Sequence, residues 1–174
     1  NRRNFINDYK KKIISSKNNK KFYSWVDLGS EYRAPELSSA LLYSQLLKVK
    51  KIQKIRKKNW DIFKKLIDQL NTKKFYLVKG NNKSTSAYHI LALVFRSTML
   101  ANKFKEFIQN KKIEATFHYV PLHKSKMGIK FCKYKLPITE NIYSRIVRLP
   151  LFSEMKKKEI DKISLLIKTF TLKF

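Results

Sequence analysis

The chain of 174 residues carries 40 Lys and Arg against 12 Asp and Glu, a net charge of +28, and 43% of its residues are hydrophobic. This hydrophobic content excludes a disordered chain, and the length allows one domain or two at most. No run of eighteen apolar residues is present, so we expect no membrane partner. The first residues form no signal-peptide pattern and Cys132 is the single cysteine, so we expect a cytoplasmic protein.

The net charge has two interpretations, a functional basic surface or compositional drift. A basic surface with interleaved aromatic residues is typical of nucleic-acid binding. However, 33 of the basic residues are Lys and only 7 are Arg, whereas Arg is the usual choice for bidentate phosphate and base contacts. Because the lysines are spread along the chain beside abundant Asn and Ile, we expect no specific nucleic-acid partner. A basic nucleic-acid-binding module stays the alternative.

The N-terminal third predicts an arm followed by a long helix. Residues 1–21 are polar and basic, and a short extended run then ends at Gly29. Pro35 suits the first position of a helix, and residues 37–47 are apolar around nearly the whole circumference, which is typical of a buried helix. We expect the rest of the chain, a second domain or another subunit to cover it. The pattern continues to residue 70, a rod of roughly 50 Å, so we expect a bend or break near residues 48–51.

The remainder predicts a small α+β domain with an antiparallel sheet and flanking helices. Period-two segments predict strands at residues 75–78, 87–95 and 113–120, with a helix beginning at Ser97 or Thr98 between the last two. Thr139 and Ser153 are the predicted caps of two further helices, the first of which includes Ile146. The residues expected to point inward from the last helix are Ile160, Ile163, Ile167 and Phe170. The predicted organisation is an arm and turn (1–34), a connecting helix (35–70) and an α+β domain (71–174).

Candidate chemistry lies at the end of the predicted third strand, in FHYVPLH (117–123). This segment holds His118, Tyr119 and His123, and strand ends are common places for ligand-binding side chains. The alternative is purely structural, with His118 on the surface and Tyr119 in the core. A His pair without a carboxylate or Cys partner is not a metal site, so we expect no metal. His89, in the middle of the predicted second strand, is interpreted as a core histidine.

Several segments resemble the DegT/DnrJ/EryC1/StrS nucleotide-sugar aminotransferases. GSEYRAPELSSALLYSQLL (29–47) resembles the family's glycine–aromatic–arginine turn and the helix after it. FHYVPLH resembles a His-rich stretch of the family, and LPITE (136–140) with VRLPLF (147–152) resembles its closing pattern. These matches occur in the family's order and cover residues 22–170. WVDLGS and LYSQL look most like the branch of dTDP-4-amino-4,6-dideoxygalactose transaminases.

The resemblance implies part of a fold-type-I enzyme that depends on pyridoxal 5'-phosphate (PLP). In the family, the cofactor lysine, the Asp that pairs with the pyridine nitrogen and most phosphate contacts lie in a large N-terminal domain that this sequence lacks. We therefore expect no catalytic residue in this chain and a C-terminal portion that is not catalytic alone. The first residue is Asn rather than Met, so we expect a processed chain or the back part of a longer one.

The resemblance also implies site residues and partners. Asn1 and Arg2 resemble the end of the family's Gly-Thr-Asn-Arg segment, and Ser30 and Arg33 belong to the turn that reaches the partner subunit's PLP phosphate. Glu31 stands where the family has Asn, and a carboxylate there repels a phosphate unless an arginine neutralises it. The expected substrate-binding residues are His118, Tyr119 and His123, with Lys124 beside them for a diphosphate.

The implied full-length function is transfer of an amino group from glutamate to a dTDP-linked 4-keto-6-deoxyhexose by a homodimer, for surface polysaccharide or lipopolysaccharide synthesis. Two alternatives stay open. One is the basic nucleic-acid-binding module, and the other is a non-catalytic remnant whose FHYVPLH side chains have no ligand.

Overall fold

The structure is a computed structural model and describes residues 34–80, 85–131 and 134–174. The chain divides into two compact units, residues 1–43 and 44–174. The arm predicted at residues 1–21 and the glycine turn after it lie outside the described residues. No helix in the described part is both long enough and apolar enough to cross a membrane.

Two consecutive helices replace the single long helix of the sequence pattern. Helix α1 is Glu36–Leu46 and helix α2 is Val49–Leu70. Residues 47 and 48 form a turn in which the Lys48 amide donates to the Gln45 carbonyl at 3.0 Å. The break therefore lies at the start of the range predicted for it. None of the α1 residues is buried, so the described residues do not supply the cover that its apolar circumference requires.

The sheet has three antiparallel strands in the order β1-β2-β3, namely Phe75–Leu77, Leu91–Phe95 and Ile146–Leu149. Helix α3 (Thr98–Gln109) follows β2, and the Ser97 side chain caps it by accepting from the Leu100 amide at 3.2 Å. A 3-10 helix (Leu122–Lys124) and the short helices α4 (Gly128–Phe131) and α5 (Pro137–Tyr143) precede β3, and helix α6 (Lys157–Lys173) ends the chain. The predicted α+β class with a small antiparallel sheet is confirmed.

The core lies where α2, α3 and α6 pack with the sheet. All five residues of β2 are buried, and three rings, those of Phe95, Phe104 and Phe170, meet with centroid distances of 4.8 to 6.2 Å. The inward face predicted for the last helix is confirmed, because its four residues are all buried.

The prediction of a strand at residues 113–120 is wrong. Only Thr116 of that segment pairs, through two backbone hydrogen bonds of 2.7 and 3.0 Å with Arg148. Lys112 and Tyr119 have φ of 56° and 60°, and this left-handed conformation interrupts an extended strand on both sides of the bridge. The third strand is instead residues 146–149, which include Ile146, expected to be helical.

Other boundaries also differ from the predictions. Strand β2 begins at Leu91 rather than at residue 87, because Tyr88 has φ of 48°. Helix α5 begins at Pro137, so Thr139 lies inside it and is not its cap. Helix α6 begins at Lys157 and its N-cap residue is Lys156, so the prediction that Ser153 caps this helix is wrong as well.

Candidate functional site

The predicted site residues fall into two groups. Asn1, Arg2, Ser30 and Arg33, expected to contact the cofactor, lie outside the described residues, as does Glu31. The expected substrate-binding residues His118, Tyr119 and His123 are all described. They lie on one continuous segment that leaves the sheet after the Thr116 bridge and enters the 3-10 helix.

The His118 and Tyr119 rings pack against each other at the start of this segment. Their centroids are 4.8 Å apart, and Tyr119 is 67% exposed, so the interpretation of Tyr119 as a core aromatic is wrong. The His118 Nδ1 atom is buried and has no hydrogen-bond partner among the described residues. The Arg148 guanidinium lies 6.0 Å from the centroid of the Tyr119 ring. The segment therefore presents one open aromatic ring and one buried, unpaired imidazole nitrogen.

The side chain of His123 is held by a carboxylate from helix α5. Its Nε2 lies 3.2 Å from Oε1 of Glu140, while the Lys124 ammonium lies 2.5 Å from Oε2 of the same residue. The Leu136 amide also donates to Oε1, at 3.3 Å. We call these four groups the Glu140 cluster. It fixes the 3-10 helix to the start of α5, so His123 is positioned by a residue seventeen places later in the chain.

In the loop after His123, Gly128 packs closely against the backbone of Leu122. A Cβ atom on Gly128 would lie 1.7 Å from the Leu122 carbonyl oxygen, so only glycine fits there. The Ser125 hydroxyl accepts from the Gly128 amide at 2.9 Å and donates to the Leu122 carbonyl at 2.7 Å. These contacts give the segment after His123 a compact folded form.

The Glu140 cluster should make stability depend on pH. Hydrogen bonds from Lys124, then His123, lower the pKa of Glu140 from 4.5 to about 2. Because this folded-state pKa is depressed, the stabilisation is fully present above 4.5 and is lost as the pH falls through about 2. Replacing Glu140 by Gln should lower the thermal unfolding midpoint near neutral pH, and the difference from the wild type should disappear in acid.

Unfolding midpoints measured across that pH range test this prediction. Glu106→Gln is the matched control, since Glu106 is exposed on α3 and its side chain forms no ion pair with another described residue. If the unfolding midpoints of Glu140→Gln and wild type differ by the same amount at every pH, the ionised Glu140 carboxylate is not the source of the stabilisation.

A second group of polar side chains lines an open groove of about 220 Å³ beside β3. His89, Glu114, Thr116 and Arg148 contribute the polar part of its lining. His89 is exposed and precedes β2, so the interpretation of His89 as a core histidine is wrong. Glu114 and Arg148 were not predicted as site residues, because their spacing along the chain gives no sign that they share a groove.

Neither the Glu140 cluster nor the groove has the side chains that a metal ion or PLP requires. The described residues contain no group of three or more His, Cys, Asp or Glu side chains placed to hold a metal ion. No lysine lines the groove, and the ammonium of Lys124 is engaged by Glu140. PLP requires a lysine that bonds to it and an acid at its ring nitrogen. The groove lining contains one acid, Glu114, and no lysine, so the groove does not supply this pair.

The fold is that of PLP-dependent sugar aminotransferases. The Helicobacter pylori aminotransferase PseC, involved in the biosynthesis of pseudoaminic acid, has a TM-score of 0.76 at 18% identity, covering 93% of this chain and 43% of that one. DesV of S. venezuelae has a TM-score of 0.77 at 15% identity, covering 87% of this chain and 40% of DesV. The chain therefore has the fold of less than half of each of these proteins.

Sequence comparison identifies the family itself. Residues 6–168 match the model of the DegT/DnrJ/EryC1/StrS aminotransferase family, and the chain belongs to this family. A curated relative is the dTDP-3-amino-3,6-dideoxy-alpha-D-galactopyranose transaminase of Aneurinibacillus thermoaerophilus, 20% identical over 152 residues. The match covers 87% of this chain and 40% of that relative. The name of this relative places its amino group at C3 of the sugar, whereas the sequence resemblance suggested a branch that aminates C4.

Proposed function

We propose that this chain is the C-terminal part of a PLP-dependent nucleotide-sugar aminotransferase and is not catalytic alone. The complete enzyme transfers an amino group from glutamate to a dTDP-linked 4-keto-6-deoxyhexose, as a cytoplasmic homodimer, for surface polysaccharide or lipopolysaccharide synthesis. The observation that supports this proposal is the family match over residues 6–168, combined with coverage of only 40% of the curated relative.

The described residues support a substrate-side role for this part. PLP supplies the chemistry of amino transfer when it is bound, and the groove beside β3 has no lysine to bond to it. Tyr119 instead presents an exposed phenol, and His118 has a buried Nδ1 atom without a partner among the described residues; both groups can form hydrogen bonds with sugar hydroxyls. The Glu140 cluster orients His123. In this proposal, Asn1, Arg2, Ser30 and Arg33 complete the contacts to the PLP phosphate.

The test begins with the DNA upstream of the Asn1 codon. We expect an in-frame or once-frameshifted segment that encodes a serine–x–lysine motif within a large α/β domain. The longest continuous polypeptide that includes it is then incubated with PLP, glutamate and dTDP-4-keto-6-deoxyhexose, and the amino sugar is detected by mass spectrometry. The 3-keto sugar is assayed in parallel, because the sugar in the name of the curated relative carries its amino group at C3.

Two results of the transfer assays would overturn the proposal. One is amino transfer by the 174-residue chain alone, and the other is the absence of transfer to either sugar by a longer polypeptide that binds PLP. If no cofactor domain is encoded upstream, the chain is a family member without its chemistry, which also contradicts the proposal. The control for the longer polypeptide replaces its candidate cofactor lysine by alanine.

A further inference from the structure

The groove beside β3 combines groups that suit a phosphorylated sugar. In this groove the side chains of Arg148 and His89 are able to donate hydrogen bonds to a ligand, that of Glu114 to accept them and that of Thr116 to do both. Leu149, Pro150 and Leu151 add an apolar wall. The lining is mostly polar, so the groove suits a charged, hydrogen-bonding ligand better than an apolar one.

Arg148 is held firmly in this groove by the sheet. Within β3 it is opposite Ala92 of β2 on one side, and on the other its amide and carbonyl both bond to Thr116. Side chains on regular strands are placed more reproducibly than side chains on loops. The guanidinium also lies over the Tyr119 ring at 6.0 Å, so Arg148 links the groove to the predicted substrate-binding segment.

The guanidinium of Arg148 has no ion-pair partner among the residues that the structure describes. Glu114 lines the same groove and forms no ion pair with Arg148. Arg145 shows the contrast, since its guanidinium donates to the carbonyls of Asn141 and Arg96 and to the Asn141 side chain. A guanidinium that projects from a paired strand, lines an open groove and is not neutralised by a carboxylate is suited to bind an anion.

We propose that Arg148 binds the diphosphate of a nucleoside-diphosphate sugar and that the groove is the subsite for this part of the ligand. This inference rests on the proposed function for the identity of the ligand. His118, Tyr119 and His123 include no permanent cation, whereas a diphosphate carries at least two negative charges, which a planar guanidinium can contact with two parallel hydrogen bonds. Glu114 repels the phosphates and accepts from sugar hydroxyls, so it sets the orientation of the ligand.

The first test is binding of dTDP to the 174-residue chain at physiological ionic strength, measured by isothermal titration calorimetry. Arg148→Gln should weaken binding roughly ten- to a hundredfold, the fold-change that corresponds to a charge-assisted hydrogen-bonded pair. Arg148→Lys keeps the charge without the planar fork and should lie between Arg148→Gln and wild type. Pyrophosphate should compete with dTDP and thymidine should not.

Matched variants separate a specific contact from general attraction to a chain of charge +28. Lys162→Gln removes the same charge from an exposed position on α6 and should change the dissociation constant less than twofold. Glu114→Gln should retain or tighten binding. Equal weakening by Arg148→Gln and Lys162→Gln would overturn the proposal, as would dTDP binding that thymidine competes away. Unfolding midpoints establish that each variant is folded.

Kinetic assays of the longer polypeptide separate a failure of this inference from a failure of the proposed function. If it transfers the amino group, Arg148→Gln should raise the KM for the nucleotide sugar at least tenfold with little change in kcat. Transfer with an unchanged KM would overturn the subsite and leave the function intact. No transfer, combined with dTDP binding that depends on Arg148, would overturn the function and support a nucleotide-binding groove.

Discussion

Replacing Phe104 by alanine should lower the free energy of unfolding by about 3–5 kcal/mol. Phe104 is fully buried on α3. Its ring centroid lies 4.8 Å from that of Phe95 and 4.9 Å from that of Phe170, so it joins the sheet to the last helix. Truncation removes the buried ring and leaves a cavity between elements that can collapse only in part. Since a domain is stable by roughly 5–15 kcal/mol, this loss is large.

Urea unfolding followed by circular dichroism measures this effect. Phe131→Ala is the matched control, because Phe131 on α4 is 82% exposed and its truncation should change stability by less than about 0.5 kcal/mol. Equal loss in the two variants would mean that the aromatic centroid distances do not describe a tightly packed core.

Helices were the part of this fold that the sequence predicts well, because their signals are local. The Ser97 cap of α3 lies next to the helix that it begins. The inward residues of α6 follow from a period of 3.6 residues, which is the same wherever the helix packs. The break after α1 was expected from length and from the change of pattern, and it lies at residues 47 and 48.

Strands were predicted less well, because a strand depends on a partner distant in sequence. Residues 113–120 alternate as a strand would, yet pairing is limited to Thr116. Residues 146–149 are too short to show a period, and they become β3 because Leu91 and Leu149 pair across the sheet. The antiparallel sheet was therefore predicted correctly while one of its three strands was assigned to the wrong segment.

The site shows the same division between local and tertiary information. His118, Tyr119 and His123 share one short motif, so the sequence presents them together. The partners of His123 and of the Tyr119 ring from other elements lie outside that motif, since Glu140 comes from α5 and Arg148 from β3. A carboxylate in the first turn of a helix is already explained by its favourable interaction with the helix dipole. The sequence therefore gives no indication that Glu140 also holds His123.

Self-association of the chain through α1 is the second large effect that we expect. Apolar side chains of α1 project from nearly its whole circumference. Two of them, Leu37 and Leu42, are 87% and 57% exposed. An apolar surface of this kind is removed from water when copies associate. Replacing both leucines by Gln keeps a similar helix propensity and should shift the chain from oligomers toward monomer, as measured by sedimentation velocity over a range of concentrations.

The control replaces two leucines of similar exposure on α6, Leu165 at 62% and Leu172 at 85%. Leu165→Gln/Leu172→Gln should leave the oligomeric state unchanged, because these residues lie on a helix whose apolar face is already buried in the core. An equal shift in both double variants would show that association uses exposed apolar surface in general rather than α1. A wild-type chain that is monomeric at every concentration would contradict this prediction and would also count against the proposed role of the chain as part of a larger enzyme, since that role leaves α1 without its cover.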